Sequence, residues 1–565
     1  MIMKIQSVFL CILIFCINNV SIFPLPSFLD QTVDKESAKQ LSMDITDSMS
    51  DQELLGQVFL VGYFGSTPSK KILSWIGEKH IGGVKIFGRN SGDLIKLTES
   101  ISLMQKTSSN RFKIPLIVAT DQEGGWVRHI RGNTSITPGN LSIGASNIPY
   151  DAFYSGYYIG EELKFLGINM NFAPTVDVYS NPNVHVIGPR SFSENALKTA
   201  RLSVAYYYGM KKAGIICTAK HFPGHGNTDK DSHGSLPVIN DSLKKLWDRD
   251  LLPYRFLIKE DIPAIMSGHL SFPAILNNKN PASLSYFFLT EILKKKMGFK
   301  GMIVTDDLYM GGVRSGGMST ADICIQSIEA GNDFILLSHP PSEEEKVWEI
   351  LSKRMKENKE FRLRVKDAAL KVLLTKINYL KSSSAPPLYP DIDNFYKLKL
   401  RNESSSFFLE QACRSVTKIR GENIPLTNIS GKKILLAGQY KYFLEEGQKR
   451  FPHADTFFFS FFPFFSSDRA TKKNISTRAS NYDIIIFCLA NPNSLEVLKN
   501  LENSGKELIV FSTLTPVYLR ETPWVKSALG VYSSSLESFK AGFGVLAGDY
   551  LPEGELPISI LVNNN

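Results

Sequence analysis

The sequence predicts an α/β protein: a (β/α)8 TIM barrel followed by a smaller α/β sandwich. Three observations predict it. From Asp44 to about Leu380, short apolar runs end in polar residues and each is followed by a helical stretch, the alternation of parallel strands with crossover helices. Eight such runs fit within about 340 residues, the number a closed barrel takes. Lys381-Ser382-Ser383-Ser384-Ala385-Pro386-Pro387 then breaks the pattern, because Ser and Pro do not continue a helix. A chain of 565 residues also exceeds what one core holds together. The expected layout is an export signal over 1–23, a barrel over 44–380, a linker over 381–400 and an α/β sandwich over 401–565.

At the N-terminus, Lys4 precedes an unbroken apolar stretch over 8–16 and then Asn18-Asn19-Val20-Ser21, the pattern of an export signal. The stretch is short for a membrane-spanning helix, which needs ~20 residues. The expected location is the periplasm, the cell envelope or the exterior, with membrane contact only through an uncleaved segment or a lipid anchor. Leu10 and Phe15 precede Cys11 and Cys16 where a lipid-attachment signal prefers a small residue.

The expected barrel strands are 57–63, 83–87, 116–120, 169–173, 215–219, 264–267, 302–305 and 334–337. Their polar followers are Asp121-Gln122-Glu123-Gly124-Gly125, Asp177, the segment from Lys220 to Gly226, Gly268-His269 and Asp306-Asp307. In a barrel these strand ends share one rim, so groups distant in sequence converge there. Beyond the linker, runs at 434–437, 457–462, 484–489 and 508–513 predict a smaller open sheet. The aromatic run 457–465, broken by Ser460 and Pro463, reads as a buried strand and turn rather than a sugar-stacking or membrane surface, because parallel strands covered on both faces are continuously apolar.

Hydrophobic residues at 43% and charged residues at 21% exclude collagen-like, disordered and multi-span membrane chains. The net charge of +9 is spread thinly, with only short basic runs such as Lys294-Lys295-Lys296, so no nucleic-acid partner is expected. Cys217, Cys324, Cys413 and Cys488 are far apart in apolar contexts and read as free thiols.

The segment with most chemistry runs from Ala219 to His233. It leaves a strand, turns at Pro223-Gly224 and becomes a loop rich in Asp, Asn and His. His221, His225, Asp231 and His233 are all possible metal ligands, but Pro223 and Gly224 argue against the helix that would put the first two on one face. A purely structural role in bonding the loop backbone is the other alternative. In an extended loop Asp231 and His233 project to the same side, so the carboxylate can orient an imidazole that gives and takes a proton near neutral pH. The strand ending in Thr305-Asp306-Asp307 delivers two carboxylates to the rim, of which one faces the axis and can act as a nucleophile. A helix N-cap role fits Asp307 better than Asp306.

These residues resemble glycoside hydrolase family three, in its β-N-acetylglucosaminidase (β-hexosaminidase) branch, over most of the chain. The resemblance rests on Thr305-Asp306, on Lys220 to Gly226 with Asp231-Ser232-His233, on Asp121 to Gly125 and on Gly188-Pro189-Arg190-Ser191-Phe192. It implies Asp306 as nucleophile, His233 with Asp231 as acid and base, and Asp121, Arg190, Lys220 and His221 as ligands of the terminal sugar. One departure stands out. The family usually carries Arg eight residues after the Asp, where this chain has His129, with Arg128 before it and Arg131 after, so either Arg128 substitutes or the contact is altered. Trp126 is a second unusual residue there. The C-terminal half resembles the second domain of longer members, ending in the pattern from Pro552 to Ile560.

The resulting expectation is a retaining exo-glycosidase that removes terminal β-N-acetylglucosamine from a carbohydrate substrate, with cell-wall saccharides as its source and neither metal nor organic cofactor. The alternatives are a β-glucosidase-type enzyme of the same fold, a non-catalytic carbohydrate-binding envelope protein and a metal-dependent barrel hydrolase.

Overall fold

The computed structural model describes residues 28, 34–108, 111–184, 187–228, 230, 232, 234–314, 316–340, 344–396, 400–459 and 469–560. The expected export signal, Asp231, His233 and 460–468 lie outside the described residues.

In chain order the first strands are β1 (Phe59–Gly62), β2 (Gly83–Ile86), β3 (Ile117–Thr120), the hairpin β4 (Gln122–Gly124) and β5 (Val127–Arg128), β6 (Met170–Asn171), β7 (Ile216–Phe222), β8 (Ala264–Ser267), β9 (Met302–Thr305) and β10 (Ile335–Leu337). Without the hairpin they form one parallel sheet in the order β10-β1-β2-β3-β6-β7-β8-β9. A parallel bridge between Val304 and Phe334 joins its two ends, so the sheet curls into a nearly closed barrel.

Alternation along each strand sorts the side chains. Leu60, Ile117, Ala119, Met170, Ile216, Met302 and Val304 pack together in one cluster, whereas Phe59, Val61, Val118 and Ile303 join the layer beneath the helices. Helix ends are fixed locally: Asp93 accepts from the Ile95 and Lys96 amides to start Leu94–Thr107, and Gly214, at φ 89°, ends Ala196–Ala213.

All eight expected barrel strands are present. The main difference is β7, which runs three residues past its expected end because Phe222 still pairs with Ser267 beyond an irregularity after Ala219. Lys220 and His221 therefore stand on the strand itself.

The second sheet contains β11 (Thr417–Gly421), β12 (Ile434–Gly438), β13 (Asp455–Phe458), β14 (Ile484–Leu489), β15 (Glu507–Ser512) and β16 (Ser527–Gly530), in the order β11-β16-β15-β14-β12-β13. All pairs are parallel except β11 with β16. Apolar clusters cover both faces. The reading of the run 457–465 as a buried strand and turn is corrected for its described residues, 457–459. β13 is an edge strand spanning Asp455–Phe458, and Phe458 is 53% exposed.

The segment expected as a linker packs on the barrel, with Ser384 against Gly214, Pro390 against Gly167 and Phe395 buried in the outer layer. The helix Leu400–Ser415 then ties the two sheets together: Arg414 pairs with buried Asp151 at 2.6 Å, and Ser415 shares a 2.8 Å hydrogen bond with Ser142. Among the described residues, no helix is long and apolar enough to cross a membrane. Cys217, Cys324, Cys413 and Cys488 are free thiols.

Candidate active site

At the C-terminal rim of the barrel lies a cavity of about 490 Å3. Its wall carries Asp121, Glu123, Arg190, Lys220, His221 and Asp306, with Phe172, Met266, Met310 and Leu336 as apolar surface and Trp126 at the rim. Asp121, Lys220, His221 and Asp306 arrive as strand ends or just beyond one, Glu123 on the hairpin after β3, and Arg190 on the Gly188–Arg190 turn in the long connection after β6.

The floor is a buried network of ions. Lys220 Nζ donates to Asp121 Oδ1 and lies against Glu123 Oε1, both at 2.5 Å. Arg190 grips Glu123 with two bonds, Nε to Oε2 at 2.8 Å and Nη2 to Oε1 at 2.7 Å. This fork holds a planar cation in one orientation. Arg190 Nη2 is also 3.3 Å from His221 Nε2, while His221 Nδ1 is 2.8 Å from Asp177 Oδ2. Asp177 Oδ1 accepts from the His225 amide at 2.7 Å, so one buried carboxylate holds both the strand end that carries His221 and the segment that carries His225.

Burial opposes ionisation throughout; paired charges outweigh it at Asp121, Glu123 and Lys220, whereas burial lowers Lys85 below its ordinary value against the pull of Asp121. The Lys220 and Lys85 ammonium groups hold the Asp121 carboxyl well below its usual range. Arg190 and Lys220 bring Glu123 down to about 2. Asp121 and Glu123 keep Lys220 above its ordinary value. Burial and the neighbouring His221 push His225 down to about 4. The pocket thus offers fixed charges and directional donors and acceptors, suited to a ligand with many hydroxyl groups.

Asp306 follows β9, and its amide donates to the Ser267 carbonyl at 2.9 Å. Its Oδ1 accepts from the Asp307 amide at 2.8 Å. Asp307 instead uses Oδ1 to hold the Tyr309 and Ser338 amides, at 3.1 and 3.0 Å, and burial raises its carboxyl. The two adjacent carboxylates therefore have different surroundings.

Ser232, between Asp231 and His233, lines the cavity. Its carbonyl accepts from the Gly312 amide at 2.9 Å, and its hydroxyl lies 3.3 Å from His225 Nε2. Among the described residues, no group of three or more His, Cys, Asp or Glu is arranged to hold a metal ion.

Arg128 requires a correction: its Nε donates to the Ile130 carbonyl at 3.2 Å, and it is His129 that lines the cavity. Trp126, Val127 and His129 line the cavity, while the Arg128 guanidinium is engaged by the Ile130 carbonyl.

Comparison with known proteins supplies the family. The family description "Glycosyl hydrolase family 3 N terminal domain" matches residues 32–374, more than half of the chain. This chain belongs to glycosyl hydrolase family 3. Beta-hexosaminidase A of Pseudoalteromonas piscicida is 40% identical over 281 residues, a match spanning 46% of this chain and 46% of that protein. A beta-hexosaminidase of Xylella fastidiosa (strain M23) is 31% identical over 50% of this chain and 84% of its own length. A solved family 3 beta-N-acetylglucosaminidase from Paenibacillus sp. str. FPU-7 superposes with a TM-score of 0.83 at 26% identity, covering 91% of this chain and all of that one.

For this family 3 chain, the strand-end pattern brought Asp121, Lys220, His221 and Asp306 to one rim, and the family resemblance added Arg190. It gave no individual role to Lys85, Glu123, Asp177 or His129. The overlooked signal is a lysine inside the apolar strand Gly83–Ile86, since a charge facing a barrel interior requires a partner.

Proposed function

We propose that the chain removes a terminal non-reducing β-linked N-acetylglucosamine with retention, using Asp306 as nucleophile and His233, supported by Asp231, as acid and then base. The observation that carries this reading is the ionised Asp121–Lys220–Glu123–Arg190 floor sharing one cavity with the Asp306 carboxylate and Ser232 of the Asp231-Ser232-His233 loop. The names of its relatives support the choice of sugar.

In this mechanism, Asp121, Arg190, Lys220 and His221 hold the sugar hydroxyls while Asp306 attacks C1. His233 gives its proton to the departing oxygen, so the glycosidic bond breaks as the bond to Asp306 forms. Water then attacks C1, His233 takes its proton, and Asp306 is released. The pattern after Lys4 supports export, and with it cell-wall saccharides as the material cleaved.

Paired nitrophenyl glycosides and a mechanism-based fluorosugar test this reading. Cleavage of the N-acetylglucosaminide in preference to the glucoside, undiminished by a chelator, is expected, with the label on a peptide containing Asp306. Preference for the glucoside would select the β-glucosidase alternative, loss of activity with chelator the metal-dependent one, and a label elsewhere would displace Asp306.

A further inference from the structure

We propose that Lys85 is a positioning residue of the sugar site, whose ammonium holds Asp121 in place and makes the neighbouring His129 present its Nε2–H to the ligand. The inference rests on the cavity being the sugar site. The Lys85 side chain is 1% exposed, on an otherwise apolar strand. Its ammonium bonds Asp121 Oδ2, lies 3.4 Å from His129 Nδ1, and sits 4.6 and 4.9 Å from the ring centres of Phe87 and Phe172. An ammonium has three donors and no acceptor, so the nitrogen facing it must offer a lone pair. The His129 proton therefore resides on Nε2, in a side chain 29% exposed at the cavity wall.

The charged groups around His129 are Lys85, Asp121, Lys220 and Glu123. Burial and the Lys85 ammonium together hold the ring down to about 4, which leaves it neutral near pH 7. Asp121 Oδ2 lies 3.6 Å from the same Nδ1. Without Lys85 that nitrogen faces Asp121 Oδ2 with no ammonium between them, Lys220 staying on Oδ1, and protonation of the imidazole becomes more favourable than in the wild type. A protonated His129 can then restrain Asp121 in place of Lys85, but only in acid.

Two experiments test this. In 15N-histidine spectra of the wild-type protein, with His129 assigned by loss of its signals in His129→Gln, the proton should be on Nε2 with no titration above about pH 5. In Lys85→Met the midpoint should move upwards. With an aryl N-acetylglucosaminide, Lys85→Met should raise KM roughly tenfold over wild type at about pH 8, affecting kcat less, and the excess should shrink to about threefold near pH 5. Adding His129→Gln should abolish that acid recovery, and adding His129→Arg should restore binding at every pH. A proton on Nδ1 in the wild type, or a KM ratio that does not change with pH, would overturn the proposal. Failure of the wild type to cleave any aryl N-acetylhexosaminide would reject the sugar reading instead, and the tautomer and its midpoint would still test Lys85. The tautomer measurement requires only folded wild-type protein, so instability of Lys85→Met does not remove the test.

Discussion

At the residue scale the site depends on charges that are buried yet paired, and this makes two predictions. Glu123 is ionised because Arg190 and Lys220 outweigh its burial, bringing it from 4.5 down to about 2. A depressed carboxyl contributes stability that is present above its unfolded value and lost as pH falls through its folded one. Glu123→Gln should therefore cost about 3–5 kcal/mol near neutrality, because it leaves two buried cations short of a partner. In urea titrations its deficit against wild type should narrow as pH falls from about 4.5 to about 2; a constant deficit would mean that Glu123 is not ionised. The second prediction concerns His233. Nitrophenolate leaves without help and a sugar alkoxide does not, so His233→Ala should slow cleavage of a disaccharide far more than that of a nitrophenyl glycoside, while giving a nitrophenol burst as water attack slows. Equal slowing without a burst would make His233 a binding residue. Asp121, Lys220, His221 and Asp306 were legible in the sequence because each ends an apolar run or stands just beyond one. Lys85 was not, since a single charge within a strand does not reveal which face it takes, and Arg128 was misplaced because its side of a two-residue strand depends on the hairpin register.

At the element scale, the parallel strands were readable because burial on both faces makes them apolar without interruption. β11 and β16 were not. Thr-Lys-Ile-Arg-Gly and Ser-Ala-Leu-Gly lack such a run, and both are placed by pairing with a partner distant in sequence. The loop after β7 shows how tightly an irregular element can be held. A β-carbon on Gly226 would lie 1.7 Å from the Val178 carbonyl oxygen, whereas one on Gly234 would meet nothing within 4 Å. Gly226 also accepts from the Ser180 and Asn181 amides, at 3.2 and 3.1 Å. Gly226→Ala should force the loop off this segment, costing about 1–3 kcal/mol and disturbing the Asp231-Ser232-His233 stretch, with a large loss of kcat. Gly234→Ala, in the same loop, should retain near wild-type activity and melting temperature. If both variants behaved alike, loop position would not govern catalysis.

At the scale of the whole molecule, the question is what the second sheet contributes to a site whose described wall comes entirely from the barrel. The chain's end supplies a physical answer. The Pro557 carbonyl accepts from Ser193 Oγ at 2.8 Å and from the Glu194 amide at 3.0 Å, and the Glu555 amide donates to Ala145 at 2.9 Å. The two bonds to Pro557 restrain the stretch immediately after the Gly188–Arg190 turn, the bond to Ala145 holds the helix Asn140–Ser146, and Asn140 of that helix holds the Arg190 carbonyl from the other side at 2.8 Å. The tail is thus a strap over the segment that aims Arg190 at Glu123 and the cavity. Removing 552–565 should loosen Arg190, raising KM more than it lowers kcat, while Ser193→Ala, which deletes one bond worth about 1 kcal/mol, should give a milder form of the same change. Because, among the described residues, the strap brings no titratable group to the cavity, the rate ratio between disaccharide and nitrophenyl glycoside should stay at its wild-type value in both variants. Should the truncated enzyme instead show a nitrophenol burst with selective loss of disaccharide cleavage, the C-terminal part would be supplying a proton-transfer group. The unchanged ratio in Ser193→Ala, a substitution small enough to leave the fold intact, separates that outcome from general destabilisation.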